Sequence, residues 1–355
     1  MKAFKLIALL FFIFIALIIG YKSCNKKDCQ TIKIGAILPM TGNQAGLGTS
    51  MKAGLELAIE ELNQADNPIK YELLVEDVAS EQRNVLNAYN KLKTINGVSI
   101  FVTAGSAYSL ALKPVVIKDD KLLFCVASHP DITSGGEYNI FKIGNSSVDE
   151  SNAIIEGINK SNYQRIVLFY PNTEYGIPFY ETLIKKDDAL KSIKYDESNT
   201  DYKNIVVQGL KRDPNGIIAI GFSSALGVLI KSIRDLGYNG PILSNTGFTS
   251  SDVLTAAGES GKGVEYIDYK IGDSDSTKKR NDIIRSRYNI DFSSICFLAY
   301  SIPYYLNEAQ EGSIYVKQIS NEIRNNDSLV ISSEYIYYIS KNGDIKPSLT
   351  LKKYQ

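Results

Sequence analysis

Tryptophan is absent from this chain of 355 residues, and histidine occurs once, at His129. A single imidazole excludes zinc patterns built on paired histidines and any catalytic scheme that needs a second imidazole. Neither charge is in excess: 39 Lys plus Arg face 39 Asp plus Glu. That balance leaves no counterion-release term for following a phosphate backbone, so no nucleic-acid partner is expected. Gly (26) and Pro (10) stay well below low-complexity levels, which excludes collagen and argues against disorder. Four cysteines are too few to staple a chain this long. No GxSxG elbow and no phosphate loop ending in GK[ST] occurs, and Gly42, Gly46 and Gly48 are wrongly spaced for a dinucleotide loop. No enzyme, metal or cofactor is therefore expected.

The length is that of two domains, and an apolar content of 44% supplies their cores. Lys2 and Lys5 precede an uncharged apolar run over 6–20. Fifteen residues fit a secretory signal better than a span, which needs about 20. Residues 1–30 are thus expected to be a signal or membrane anchor with a juxtamembrane stretch, leaving the body extracytoplasmic, tethered or secreted. Cys24 is a lipidation candidate, resembling the acylated cysteine of bacterial lipoproteins, although Tyr21 and Lys22 depart from that pattern. An uncleaved anchor and an ordinary cleaved signal remain open. Cys125 and Cys296 sit in apolar surroundings and read as small buried hydrophobes rather than a bridge.

From residue 32 onward short apolar runs alternate with amphipathic stretches, the pattern of an α/β fold with parallel sheets. Strands are expected at 32–38, 71–76, 98–102 and 122–127. Met51, Leu55, Ala58 and Leu62 recur at helical spacing after the first of them. The rhythm restarts with a helix at 149–159 and strands at 165–170, 192–196, 216–221, 241–244 and 264–269. Three helical segments (277–288, 295–311, 315–324) and an alternating strand at 333–340 close the chain. Two lobes of one construction, each doubly wound around a parallel sheet and joined by a hinge, would face each other across the carboxyl ends of their strands. Ligands collect there.

Four segments, KIGAILPMTGNQAGLGTSMKAGLELAIEELN, TAGSAYSLALKPVVIKDDKLLFCVASHPDIT, FYPNTEYGIPFYETL and IAIGFSSALGVLIKSIRDLGYNGPILSNTGF, follow one another in order. As an ordered set they resemble type I periplasmic solute-binding proteins of the leucine, isoleucine and valine branch, which serve ABC importers. The resemblance covers about 32–350. It implies three crossovers between lobes, with 31–145 plus about 270–328 in lobe 1 and 146–269 plus about 329–355 in lobe 2. It also implies an amino acid or related small carboxylate trapped by hinge closure and delivered to an ABC permease. A sensor reporting to a membrane signalling partner is the alternative.

The resemblance also places the site residues. Ser109 falls where the family puts its carboxylate-binding serine, and Ser106 opens the same helix; either serine could instead only cap it. Ala127 and Ser128 match a backbone carbonyl and hydroxyl position, with Ser128 replacing a threonine. Tyr175 matches the cleft aromatic, Phe222 and Ser223 are similarly placed, and Leu47 stands where an aromatic is frequent. The departure is at LSNTGF, which offers Asn245 and Thr246 where the branch presents an acid for the ligand's ammonium. A buried ammonium without a counter-charge costs several kcal/mol, so Asp149 or Glu174 is expected to substitute, or the ligand lacks the amine. His129, beside Ser128, reads as a solvated or capping side chain before a ligand contact.

Overall fold

The computed structural model describes residues 30–65, 68–161, 163–186, 190–309, 315–326, 328–331 and 335–355. The apolar run at 6–20 and the lipidation candidate Cys24 lie outside the described residues. Among the described residues no helix is long and apolar enough to cross a membrane.

The first half of the chain alternates strands and helices: β1 (Gln30–Leu38), α1 (Ala45–Gln64), β2 (Ile69–Asp77), α2 (Val85–Thr94), β3 (Ile100–Ala104), α3 (Ser106–Lys118), β4 (Leu122–Val126) and β5 (Ile140–Ile143). Every residue of β3 and β4 is buried, as expected for parallel strands covered on both faces by helices. The pattern repeats as α4 (Ser147–Ser161), β6 (Ile166–Pro171), α5 (Gly176–Lys186), β7 (Lys191–Tyr195), α6 (Lys203–Leu210), β8 (Gly216–Ala219), α7 (Ser224–Asp235), β9 (Ile242–Ser244), α8 (Ser251–Ala257) and β10 (Glu265–Tyr269). Three helices follow, α9 (Asp275–Tyr288), α10 (Ser294–Glu308) and α11 (Val316–Asn325). Four short strands end the chain: β11 (Ser328–Ile331), β12 (Tyr335–Ile339), β13 (Asp344–Lys346) and β14 (Leu349–Lys353).

Among the described residues the strands form an eight-stranded sheet, in the order β11-β12-β13-β5-β4-β3-β1-β2, and a six-stranded sheet, in the order β14-β10-β9-β8-β6-β7. Both are parallel except at the edge carrying the C-terminal strands, so the molecule is an α/β protein of two doubly wound lobes. The chain passes between sheets three times: after β5, after β10 and after β13. Helices α9 and α10 pack on α1 of the first lobe, where Leu47, Met51, Leu55, Ala58 and Leu62 are buried in one core with Phe297, Tyr300 and Leu306.

The division at the C-terminus differs from the expectation of about 329–355 in lobe 2. Strands β11 to β13 belong to the first sheet, and β14 alone joins the second. Lys142 of β5, only 1% exposed, supplies the reason. Its ammonium lies 3.2 Å from Asp344 Oδ1 of β13, which pairs with β5 in parallel register, and a buried lysine is stable only with such a partner. The same lysine disguises β5, whose IFKI segment gives no apolar run and is absent from the strands expected from periodicity.

Candidate functional site

The loops at the carboxyl ends of both sheets converge on one cavity of about 50 Å3, several times the ~10–15 Å3 that one water requires. From the first lobe come Leu47 at the start of α1, Gly105 after β3, Ala127 and Ser128 after β4, and Ile143 of β5; Glu150 of α4, just past the first crossing, belongs to the second lobe. From the second come Tyr175 after β6, Phe222 after β8, Thr246 and Gly247 after β9, and Tyr269 at the end of β10; Ile295 and Leu298 of α10 close the wall. Most of this surface is apolar, so its few polar groups fix orientation.

Two glycines permit the convergence. Gly105 caps α3 with φ near +84°, a left-handed conformation that other residues adopt only under strain. Its N–H donates to Val126 O at 2.9 Å, which ties the loops after β3 and β4 together. A Cβ on Gly247 would stand 2.0 Å from the Gly221 carbonyl oxygen, so only glycine lets the loops after β8 and β9 touch.

Among the described residues Glu150 is the one acid on the cavity wall. It is 1% exposed, and its Oε2 accepts the Thr246 N–H at 2.9 Å within the second lobe, whose core α4 joins. Burial pushes its carboxyl up from the usual 4.5 to about 7, although the Thr246 contacts favour the carboxylate. Among the described residues no Lys, Arg or His lines the cavity. The Ser128 hydroxyl is buried without a hydrogen-bond partner.

The expected site residues divide into four groups. Leu47, Ala127, Ser128, Tyr175, Phe222 and Thr246 share the cavity. Ser106 lines an adjoining cavity, together with Tyr175 and Phe222. Asn245 stands behind the wall rather than on it: its amide nitrogen donates to the Tyr175 hydroxyl, and its Oδ1 accepts Gly221 N–H at 3.0 Å. It is fully buried and holds the cavity tyrosine in place. Ser109 is fully buried and faces neither cavity; its hydroxyl donates to Gly105 O at 2.7 Å, one turn back along α3. That bond is a back-bond within the helix and not the cap weighed against carboxylate binding: the capping residue is Gly105, and no side chain caps α3.

Neither acid expected to substitute lines the cavity. Asp149 accepts Ser146 N–H at 3.0 Å and the Ser146 hydroxyl at 2.7 Å, and it pairs with Lys346 at 2.8 Å. Glu174 has a side chain 54% exposed and faces His129 at 3.7 Å. The Ser146 and Asp149 pair is a reciprocal cap at the start of α4. Read as a cap, the spacing S-x-x-D would have assigned Asp149 to the backbone and left Glu150, one residue and about 100° further round the helix, as the inward acid. Tyr269 carried no comparable signal, because its place depends on the second crossing. His129 caps the turn at Pro130–Ile132, with Nδ1 accepting Asp131 N–H at 3.1 Å. Cys125 and Cys296 are both buried and unbridged, and burial pushes the Cys125 thiol up to about 12.

Residues 31–296 match the family model described as periplasmic binding protein. The leucine-, isoleucine-, valine-, threonine- and alanine-binding protein of Pseudomonas aeruginosa is 25% identical over 268 residues, 71% of this chain and 70% of that one. The branched-chain amino acid transporter substrate-binding protein of Streptococcus pneumoniae, solved with isoleucine, superposes with a TM-score of 0.84 at 19% identity, covering 92% of this chain and 97% of the other. An ABC transporter solute-binding protein of R. palustris, solved with benzoate, superposes with a TM-score of 0.81 at 17% identity, covering 92% and 93%. With a family match across three quarters of its length and lobes that meet around one cavity, the chain belongs to the periplasmic binding proteins, to the type I branch that holds the leucine, isoleucine and valine binding proteins.

Proposed function

We propose that this protein captures a small α-amino acid between its lobes outside the cytoplasm and delivers it to an ABC permease. The observation that carries the reading is Glu150, a fully buried acid with no basic neighbour on the cavity wall. A ligand ammonium would supply the missing counter-charge and hold Glu150 as a carboxylate. The start of α3 after Gly105 and the unpartnered Ser128 hydroxyl suit the ligand carboxylate, and Leu47, Phe222 and Leu298 suit an apolar body. The relatives named for branched-chain amino acids favour the same class. Family members bind solutes and are not enzymes.

Calorimetry with amino acids and with amine-free carboxylates, benzoate among them, separates the two ligand classes. An ammonium ligand needs ionised Glu150, so its affinity should rise up to tenfold per pH unit as pH climbs towards about 7 and then level off. An amine-free carboxylate needs the protonated acid and should bind more weakly above pH 7. Binding of carboxylates alone, with that falling profile, would overturn the amino-acid reading.

A further inference from the structure

A second cavity of about 80 Å3 adjoins the first, separated from it by the Tyr175 and Phe222 rings, whose centroids lie 4.6 Å apart edge to face. Gln44, Ser106, Thr173 and Glu197 contribute its polar wall, and Gly105 lines both spaces. The Ser106 hydroxyl is buried and has no hydrogen-bond partner, on a residue only 2% exposed. Glu197 accepts the Ser223 hydroxyl at 2.6 Å, and burial holds its carboxyl above the usual range. Among the described residues no Lys, Arg or His lines this space either. Two acids therefore flank the start of α3, in adjacent compartments without a basic side chain among the described residues.

We infer that this second cavity is a subsite for a cationic end group, and that the ligand class is an amino acid whose side chain ends in an ammonium or guanidinium. The assignment rests on the amino-acid reading of the first cavity. The ligand carboxylate meets the start of α3 beside Gly105, the α-ammonium meets Glu150, and the side chain passes the Tyr175 and Phe222 rings to reach Glu197 and Ser106. The unpartnered Ser106 hydroxyl accepts from the same end group that neutralises Glu197. The aromatic pair suits the passage, because ring faces attract a passing cation.

The test compares L-lysine with L-norleucine, which has the same α-substituents and a four-carbon side chain without the amine. Calorimetry on the wild-type body should give at least a tenfold preference for lysine. That preference should fall to near unity in Glu197→Gln and drop several-fold in Ser106→Ala, whose lost hydroxyl bonds nothing in the protein. Norleucine binding by each variant verifies that it is folded. Equal or tighter binding of norleucine by the wild type overturns the subsite and leaves the first cavity standing, as does a lysine preference that survives Glu197→Gln. Failure of both ligands to bind overturns the subsite together with the amino-acid reading.

Discussion

Glu150 is where stability and binding oppose each other. Its carboxyl sits at about 7 in the folded protein against an ordinary 4.5, so the folded state retains a proton that the unfolded chain has released. Its contribution is fully present below about pH 4.5 and is lost as pH rises through about 7, on the order of 3 kcal/mol in all. Glu150→Gln has no such proton. Thermal melts should show the variant gaining on wild type from pH 5 to pH 8, while its affinity for an amino acid falls roughly ten- to a hundredfold, the ~1.5–3 kcal/mol of a charge-assisted hydrogen bond. Parallel melting curves at all pH values would remove Glu150 from that role. The two serines separate in the same way. Ser128→Ala removes a hydroxyl that bonds nothing in the protein, so affinity should fall about tenfold at unchanged melting temperature. Ser109→Ala removes a bond to Gly105 O and should cost about 1 kcal/mol of stability with little change in affinity.

At the scale of elements, the two lobes hold each other through helix ends. Asp252, in the first turn of α8, accepts the Gly46 N–H at 2.8 Å from the first turn of α1. This is a helix N-cap supplied by the opposite lobe, and a hinge opening that separates the two helix ends would break it. Caps contribute about 1 kcal/mol, and Asp252 is not among the residues lining the cavity. Asp252→Ala should therefore weaken any ligand about fivefold by destabilising the closed form, equally for every ligand. A loss that depends on ligand identity would place Asp252 in recognition instead. Gly105 is similarly decisive: alanine there must adopt a left-handed φ, costing roughly 1–2 kcal/mol, and the strain falls on the edge that lines both cavities.

At the scale of the molecule, three crossings tie two sheets whose carboxyl ends face one another, which permits a rigid-body hinge. Ligand at ~100 times its dissociation constant should add about 2.7 kcal/mol of stability. Small-angle scattering should record a smaller radius of gyration with ligand than without. A radius that does not change on saturation would exclude capture by closure. The last crossing is short, from β13 to β14 across two residues. Only β14 reaches the second sheet, where it pairs with β10 in antiparallel register.

The alternation of apolar runs and amphipathic helices by itself determined the α/β class and the two matched lobes. It also set which loops, those after 38, 102, 127, 170, 221 and 244, would be expected to carry ligand contacts, because periodicity and strand direction are local properties. It read poorly wherever a charged residue interrupts a strand: the IFKI segment of β5 looks polar until Asp344 comes to Lys142 from 202 positions away. Tertiary structure alone decided which acid faces the cavity. Asp149 and Glu150 are neighbours in sequence, but a helix turns about 100° between them, so one caps its own helix and the other faces the cavity and Thr246, 96 positions away in the same lobe. Likewise Asn245 and Ser109 occupy positions that resemble ligand contacts in sequence. In three dimensions each spends its polar atoms on the protein, because folding satisfies a buried polar group with whichever partner it brings within hydrogen-bond reach.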